Sequence, residues 1–423
     1  MDFQQFLHKL DKEGKLVHVT KPVSTKYGIA AIMKKFDGKP ILFENVSNSS
    51  MKVAANVLSS RELLADSLGI NKDDVIEKVA NAIDRPSKPV EDSLLYDEYE
   101  VVQDLFQLPI LTYYAEDGGP YIASSIFVVN DRELGINASY HRMMVLDKDK
   151  VVARVLPRHF EEFVKRGNKE FAICIGLPPS MAVASAISCE LEKSELDIAN
   201  AISPIKVFEL DSHIVPESEI IMIAEITDER VNEGPFMDLT ETFDIVRQER
   251  LIKIKKIYKK KDAVFHALLP GGDEHKMLMG TPKEPAIYRA VNKVCKCRNV
   301  YITPGGCSWL HAIVQIEKHN EDDGRKAIEA AFEGHKSLKR CIIVDSDIDI
   351  TNPHEVEWAI ATRFQASKGL VVKEKQIGSS LDPSANPVTR ETTKVGIDAT
   401  APVGKISEFS KHKIPGEDRA SLE

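Results

Sequence analysis

Leu251-Ile252-Lys253-Ile254-Lys255-Lys256-Ile257-Tyr258 carries the clearest strand signal in the middle of the chain. Ile252 and Ile254 alternate with Lys253 and Lys255, a period of two that puts one face in water and the other in a core. Around it, Ile122 to Asn130, Met143 to Leu146, Val151 to Leu156, Ile220 to Ile226 and Val264 to Leu269 are β-branched or alternating runs broken by turn residues. Links such as Asp147-Lys148-Asp149-Lys150 have hairpin length. The middle of the chain therefore reads as a barrel-like antiparallel sheet rather than a parallel one. Lys259-Lys260-Lys261 reads as its solvated strand end.

Outward from this region the pattern changes. Residues 1 to about 104 alternate helical runs, Arg61 to Leu68 and Asp74 to Ile83, with the short strand Ile41-Leu42-Phe43, which predicts a small α/β domain. Met1-Asp2-Phe3-Gln4 opens an amphipathic helix with Phe3, Phe6, Leu7 and Leu10 on one face, unlike a signal peptide. From about residue 300, strands Val300-Tyr301-Ile302, Ala312 to Ile316 and Cys341 to Val344 enclose a helix from Gly324 to Gly334. Asn352-Pro353-His354-Glu355 then starts another, with Asn as cap and Pro at the first helical position, running through Trp358 to Arg363. The expected organisation is a mixed α+β and α/β multidomain chain divided at 1–104, 105–299 and 300–423. A polar tail from about Lys405 is expected to be poorly ordered or to dock on a neighbour.

At 423 residues the chain exceeds what one core usually organises. A formal charge of −9 and a pI near 5.8 argue against a dedicated nucleic-acid binder. No apolar run is long enough to span a bilayer. Six scattered cysteines suit a reduced cytoplasm, and Cys295-Lys296-Cys297 with Cys307 lacks zinc-ribbon spacing, so they read as structural thiols.

The chemistry is concentrated in Glu233-Gly234-Pro235-Phe236-Met237-Asp238. Gly234 loosens the backbone and Pro235 removes a donor, so the segment is extended or turning, not helical. Two acids held in such a bend beside Phe236 form an acid/base arrangement if the cleft is partly dry.

Taken with Asn137, Arg142, His159 and Glu209, this segment resembles the UbiD-like family of reversible decarboxylases that use prenylated FMN. The resemblance covers roughly residues 105 to 400, entering at Leu108-Pro109-Ile110, passing Asp117-Gly118-Gly119-Pro120-Tyr121 and leaving at Gly396-Ile397-Asp398-Ala399-Thr400. Asn137-Ala138-Ser139-Tyr140-His141-Arg142 reproduces the family's metal-binding asparagine and, five positions on, its catalytic arginine. Glu233 to Asp238 matches the family's acidic element, with Met237 in place of the usual glycine, which puts local backbone freedom in question. Singly, each residue has a plain structural explanation: Asn137 a turn, His159 a helix cap, Glu209 a strand-end acid, Arg142 a surface ion pair. Jointly they are improbable as accidents.

The resemblance implies a central split β-barrel that binds the flavin and a C-terminal α/β domain with an oligomerisation tail. It implies Arg142, Glu233 and Asp238 as the catalytic set: Arg142 holds the substrate carboxylate, Glu233 delivers the proton and Asp238 tunes both. A different division of labour, with Asp238 as the proton carrier, is the alternative. Asn137, His159 and Glu209 are implied ligands of Mn2+ or Mg2+, donors suited to such an ion beside a flavin phosphate. Ser139, Tyr140, Arg142 and Arg158 join the cofactor-binding set, and Lys339 or Arg340 stands where the family's phosphate-holding lysine falls; K+ is a further candidate ion.

Glu233 to Thr240 and Leu269 to Lys276 look like the archaeal branch, which implies decarboxylation of trans-anhydromevalonate 5-phosphate to isopentenyl phosphate. His141, Arg158, His275 and Lys276 are candidates for that substrate's phosphate. A flavin prenyltransferase would supply the cofactor, and the chain would be a cytoplasmic homo-oligomer. Rival readings are a decarboxylase of an aromatic acid such as a polyprenyl-hydroxybenzoate, a catalytically silent flavin-binding subunit, and a divalent-metal hydrolase.

Overall fold

The structure, a computed structural model, describes residues 1–412 and 414. It divides into two compact units, Met1–Pro285 and Ala286–Glu423.

In the first unit the helix Phe3–Lys12 buries Phe3, Phe6, Leu7 and Leu10, as its periodicity requires. Asp2 caps it by accepting from the Gln5 amide at 2.8 Å, and Gln5 returns a bond to the Asp2 amide. Helices Arg61–Leu68 and Val75–Asp84 and the strand Ile41–Phe43 fall where expected. A four-stranded sheet runs Val17–Val19, Ile41–Phe43, Lys52–Ala55, Val264–Ala267. Its last strand, which the sequence pattern groups with the middle sheet, pairs parallel with Lys52–Ala55. Alternation specifies a strand and one buried face; it does not specify the partner.

The larger sheet of this unit has nine strands, with an antiparallel path from Tyr121–Ile122 through Met143–Asp147, Lys150–Ala153, Arg247–Lys260, Ile220–Glu233, Glu170–Ile175 and Ile126–Asp131 to Gly135–Tyr140. Tyr99–Val102 joins Arg247–Lys260. Among the described residues no ladder joins the first strand of this path to the last. Lys253 and Lys255 are exposed between buried Ile252 and Ile254. A bulge places Lys255 between the pairs Ile223↔Lys256 and Ala224↔Ile254, which is why Lys256 also faces water. Lys260 departs from the reading as a solvated strand end: it is buried, 2.7 Å from Glu217 and 3.8 Å from Glu219.

The run Ile122 to Asn130 is two strands, split where Ser124 and Ser125 hydrogen-bond the carbonyls of His266 and His141. Ile220 to Ile226 extends to Glu233, so the strand delivers that acid at its end, opposite Arg247.

The second unit carries a five-stranded sheet, Lys296–Ile302, His311–Glu317, Arg340–Asp345, Glu391–Ala399, Leu370–Ile377. Helices Asp323–Gly334 and Pro353–Arg363 accompany it, the latter capped by Asn352 accepting from the His354 amide at 3.0 Å. The expected tail holds a short turn at Ile406–Phe409, where the Phe409 carbonyl accepts from Arg363 at 3.0 Å; residues 413 and 415–423 of that expectation lie outside the described residues. All six cysteines are free thiols. No helix among the described residues is long and apolar enough to cross a membrane.

Candidate active site

The acidic segment lies where the long strand Ile220–Glu233 ends. Gly234 has φ +95°, the Gly234-Pro235 peptide is cis, and Phe236–Met237 then forms a two-residue strand against Phe243–Asp244. Met237 takes ordinary strand backbone, so replacing the usual glycine costs nothing in conformation. The turn is clasped from outside: the Gly118 amide donates to the Pro235 carbonyl at 2.9 Å, and a Cβ on Gly118 would lie 2.3 Å from the Gly234 carbonyl oxygen. Only glycine permits that approach.

Arg142 follows the strand Gly135–Tyr140 and points into this turn. Its Nε donates to Glu233 Oε1 at 3.0 Å, its Nη2 to Glu233 Oε2 at 3.2 Å and to Asp244 Oδ2 at 2.9 Å, and its Nη1 to Asp238 Oδ2 at 2.5 Å. The Phe236 ring covers the guanidinium at 4.8 Å. Glu233 is fully buried and also accepts from the Tyr121 hydroxyl at 3.1 Å. Burial disfavours a charged Arg142, but Glu233, Asp238 and Asp244 outweigh it and hold the pKa above its ordinary value. Arg142, Glu233 and Asp238, the set named from the sequence, are thus brought together. Asp244 was missed: it reaches the site across a strand pair whose register six residues of local sequence do not specify.

His141 is buried between Phe127 and Phe160. Its Nδ1 lies 3.1 Å from the Arg154 carbonyl, so that nitrogen carries the proton, and Nε2 accepts from the Ser139 hydroxyl at 3.0 Å. Burial pushes its pKa down to about 4. With both nitrogens engaged and the ring neutral, His141 anchors the segment and is not free for a substrate phosphate. His275 accepts from the Gly271 amide at 3.1 Å through Nδ1 and is held below its ordinary pKa by burial, with Asp238 opposing and Arg142 and Lys276 adding. Lys276 pairs with Glu241 at 2.5 Å.

The expected metal ligands assemble differently from the sequence reading. Buried Asn137 donates through Nδ2 to both Glu195 carboxylate oxygens at 3.1 Å, and the Ala138 amide donates to Glu195 at 2.8 Å. Glu209 is exposed on the strand Lys206–Leu210, opposite Ile214 in a separate three-stranded sheet. The acid beside Asn137 is therefore Glu195, at the start of the helix Glu195–Ile202 behind the cap Ser194. A signal was present: Glu195 falls on the stripe of Ala199 and Ile202, an acid on an apolar helix face. Burial raises its pKa to about 7 against the bonds from Ala138 and Asn137.

His159 opens the helix His159–Lys165, half-buried, its pKa lowered by burial and by Arg158. Arg158 has no ion-pair partner among the described residues, and burial, joined by the Arg158 charge, lowers the Lys283 pKa to about 8. Lys283 donates to the Ala186 carbonyl at 3.1 Å and the Ser188 hydroxyl at 2.8 Å; this lysine, too, was missed. Among the described residues no group of three or more His, Cys, Asp or Glu is assembled for a metal. Asn137 and Glu195, joined by their hydrogen bonds, and His159 are nevertheless residue types with the hard oxygen and nitrogen chemistry of Mn2+ or Mg2+, and among the described residues the buried Glu195 has no cationic partner. Tyr140 is half-buried against the core. Lys339 and Arg340 belong to the second unit, where Lys339 pairs with Asp382 at 3.0 Å while the buried Arg340 Nε has no hydrogen-bond partner.

Three family models match in succession: the 3-octaprenyl-4-hydroxybenzoate carboxy-lyase N-terminal domain over residues 7–83, its Rift-related domain over 84–273 and its C-terminal domain over 276–399. The chain belongs to the UbiD family. A UbiD-family relative from Methanosarcina mazei, named anhydromevalonate phosphate decarboxylase, is 43% identical over 99% of this chain and 100% of its own. The solved UbiD-class enzyme HmfF from Pelotomaculum thermopropionicum, in complex with FMN, superposes with a TM-score of 0.95 at 32% identity, over 100% of this chain and 99% of that one. An evolved dimeric form of HmfF in complex with prFMN gives 0.91 at 30%, over the same shares.

Proposed function

We propose that this chain is a prenylated-FMN-dependent decarboxylase that converts trans-anhydromevalonate 5-phosphate to isopentenyl phosphate and CO2. The observation that carries this reading is the buried Arg142–Glu233–Asp238 network in a chain 43% identical along its whole length to an anhydromevalonate phosphate decarboxylase. When bound, the flavin supplies the electron sink that makes loss of CO2 from an α,β-unsaturated acid accessible.

The protein's part is binding, orientation and the proton. Arg142 offers a planar, permanently charged donor face to the substrate carboxylate. Glu233, fully buried and gripped by Arg142 and Tyr121, carries the proton to carbon at its Oε atoms, and Asp238 orients Arg142 and tunes both residues through its hydrogen bond and its own negative charge. Phe236 and Tyr121, with rings 4.3 Å apart, exclude water from the acid.

Asn137, Glu195 and His159 would hold a divalent ion, Mn2+ or Mg2+, with Ser139, Arg158 and Lys283 around it. Of the two basic residues in the second unit, the unpartnered donor of Arg340 favours it over Lys339 for an anionic group. A homo-oligomer in the cytoplasm, loaded by a flavin prenyltransferase, completes the reading. Its test is the product: protein co-produced with a flavin prenyltransferase and given trans-anhydromevalonate 5-phosphate releases CO2 and isopentenyl phosphate in equal amounts. CO2 released only from aromatic acids would overturn the substrate assignment.

A further inference from the structure

A guanidinium has five N–H donors. In Arg142 four end on carboxylates, two on Glu233 and one each on Asp238 and Asp244. Asp244 differs from the other two acids in what lies behind it. Its Oδ2 accepts from Arg142 at 2.9 Å and also from Nη1 of Arg247, so one oxygen bridges two guanidiniums. Its Oδ1 accepts from the Ile245 amide at 2.9 Å. Arg247 is fixed in turn: it is the register partner of Glu233 across the two long strands, and its Nη1 also reaches the Ile245 carbonyl at 3.3 Å.

Both oxygens of Asp244 are therefore committed, and the carboxylate cannot turn without releasing a guanidinium. With all groups ionised, Glu233, Asp238 and Asp244 face Arg142 and Arg247, leaving one net negative charge before any substrate arrives. The other groups in this field are Tyr121 behind Glu233, Asp117 at the Met237 amide, and His275 and Lys276 beside Asp238, with Lys276 paired to Glu241.

We propose that Asp244 is a positioning residue for Arg142, bridged to Arg247, so that this pair sets both the orientation of the carboxylate-binding guanidinium and the charge felt by Glu233 and Asp238. The inference rests on the decarboxylase reading only for the identity of the acid that Arg142 receives.

The test compares Asp244→Asn, Asp244→Glu, Arg247→Gln and the double variant Asp244→Asn/Arg247→Gln in the loaded enzyme. Asp244→Asn is expected to lower kcat/KM about tenfold or more, and Asp244→Glu to recover most of it. The double variant should be no worse than Asp244→Asn, because Arg247 acts through Asp244. The basic limb of the pH profile separates positioning from a scaffold role. Loss of the Asp244 negative charge is expected to move that limb to lower pH, and loss of the Arg247 positive charge to move it to higher pH.

Carboxyl-selective 13C NMR of the cofactor-free full chain, labelled at Glu and Asp, reads the same two opposite shifts without turnover. If wild-type enzyme releases no CO2 from the phosphorylated acid, the substrate reading fails while the NMR shifts still decide this proposal. Shifts in the same direction, or activity within about twofold of wild type in Asp244→Asn, would overturn it.

Discussion

Arg142 gathers carboxylates from Glu233, Asp238 and Asp244, and the shape of its side chain is what allows this. A guanidinium is a rigid fork; an ammonium is a point charge on a flexible stem. Arg142→Lys keeps the charge but cannot hold both oxygens of Glu233 and two further acids, so kcat/KM is expected to fall by about two orders of magnitude with the fold intact, checked by steady-state kinetics beside circular dichroism. His141, one residue earlier, makes a prediction in the opposite sense, about stability. Its folded pKa is depressed from 6.5 to about 4, so between those values the unfolded chain binds the extra proton. Its contribution is complete above pH 6.5 and is lost as pH falls toward 4. Denaturant midpoints of wild type and His141→Gln should therefore differ more at pH 7 than at pH 5; a difference independent of pH would contradict the neutral, buried assignment.

At the scale of elements, the legible parts were those with a local signal. The Asn352 cap, the Phe3–Leu10 stripe and the alternation in Leu251 to Tyr258 each state their structure in a few residues, and the structure has them. What was not legible was pairing at a distance. Val264–Ala267 joined another sheet, and Asp244 reached Arg142 through the register of a two-residue strand. Glu209 and Glu195 show the same limit: the family resemblance implies the first, while the helix Glu195–Ile202 buries the second against Asn137. Mn2+ binding to the full chain, followed by calorimetry, is expected to weaken at least about tenfold in Glu195→Gln and to stay unchanged in Glu209→Gln. The turn that carries Glu233 makes its own prediction. A methyl on Gly118 would meet the Gly234 carbonyl at 2.3 Å, so Gly118→Ala should cost about 1–3 kcal/mol of stability by denaturant unfolding and impair turnover with it.

For the molecule as a whole, the first unit alone holds Arg142, its three acids and the Asn137–Glu195 pair. The fold alone does not select a substrate. In the proposed mechanism a dry, arginine-held Glu233 delivers the proton after CO2 is lost. The measurement that tests it most directly is CO2 release from trans-anhydromevalonate 5-phosphate by wild type and Glu233→Gln, both co-produced with a flavin prenyltransferase and matched for bound flavin by their absorption spectra. Wild type is expected to turn over while Glu233→Gln, with the same flavin content, loses at least about a thousandfold in rate. Undiminished release by Glu233→Gln would contradict it and move the proton to Asp238.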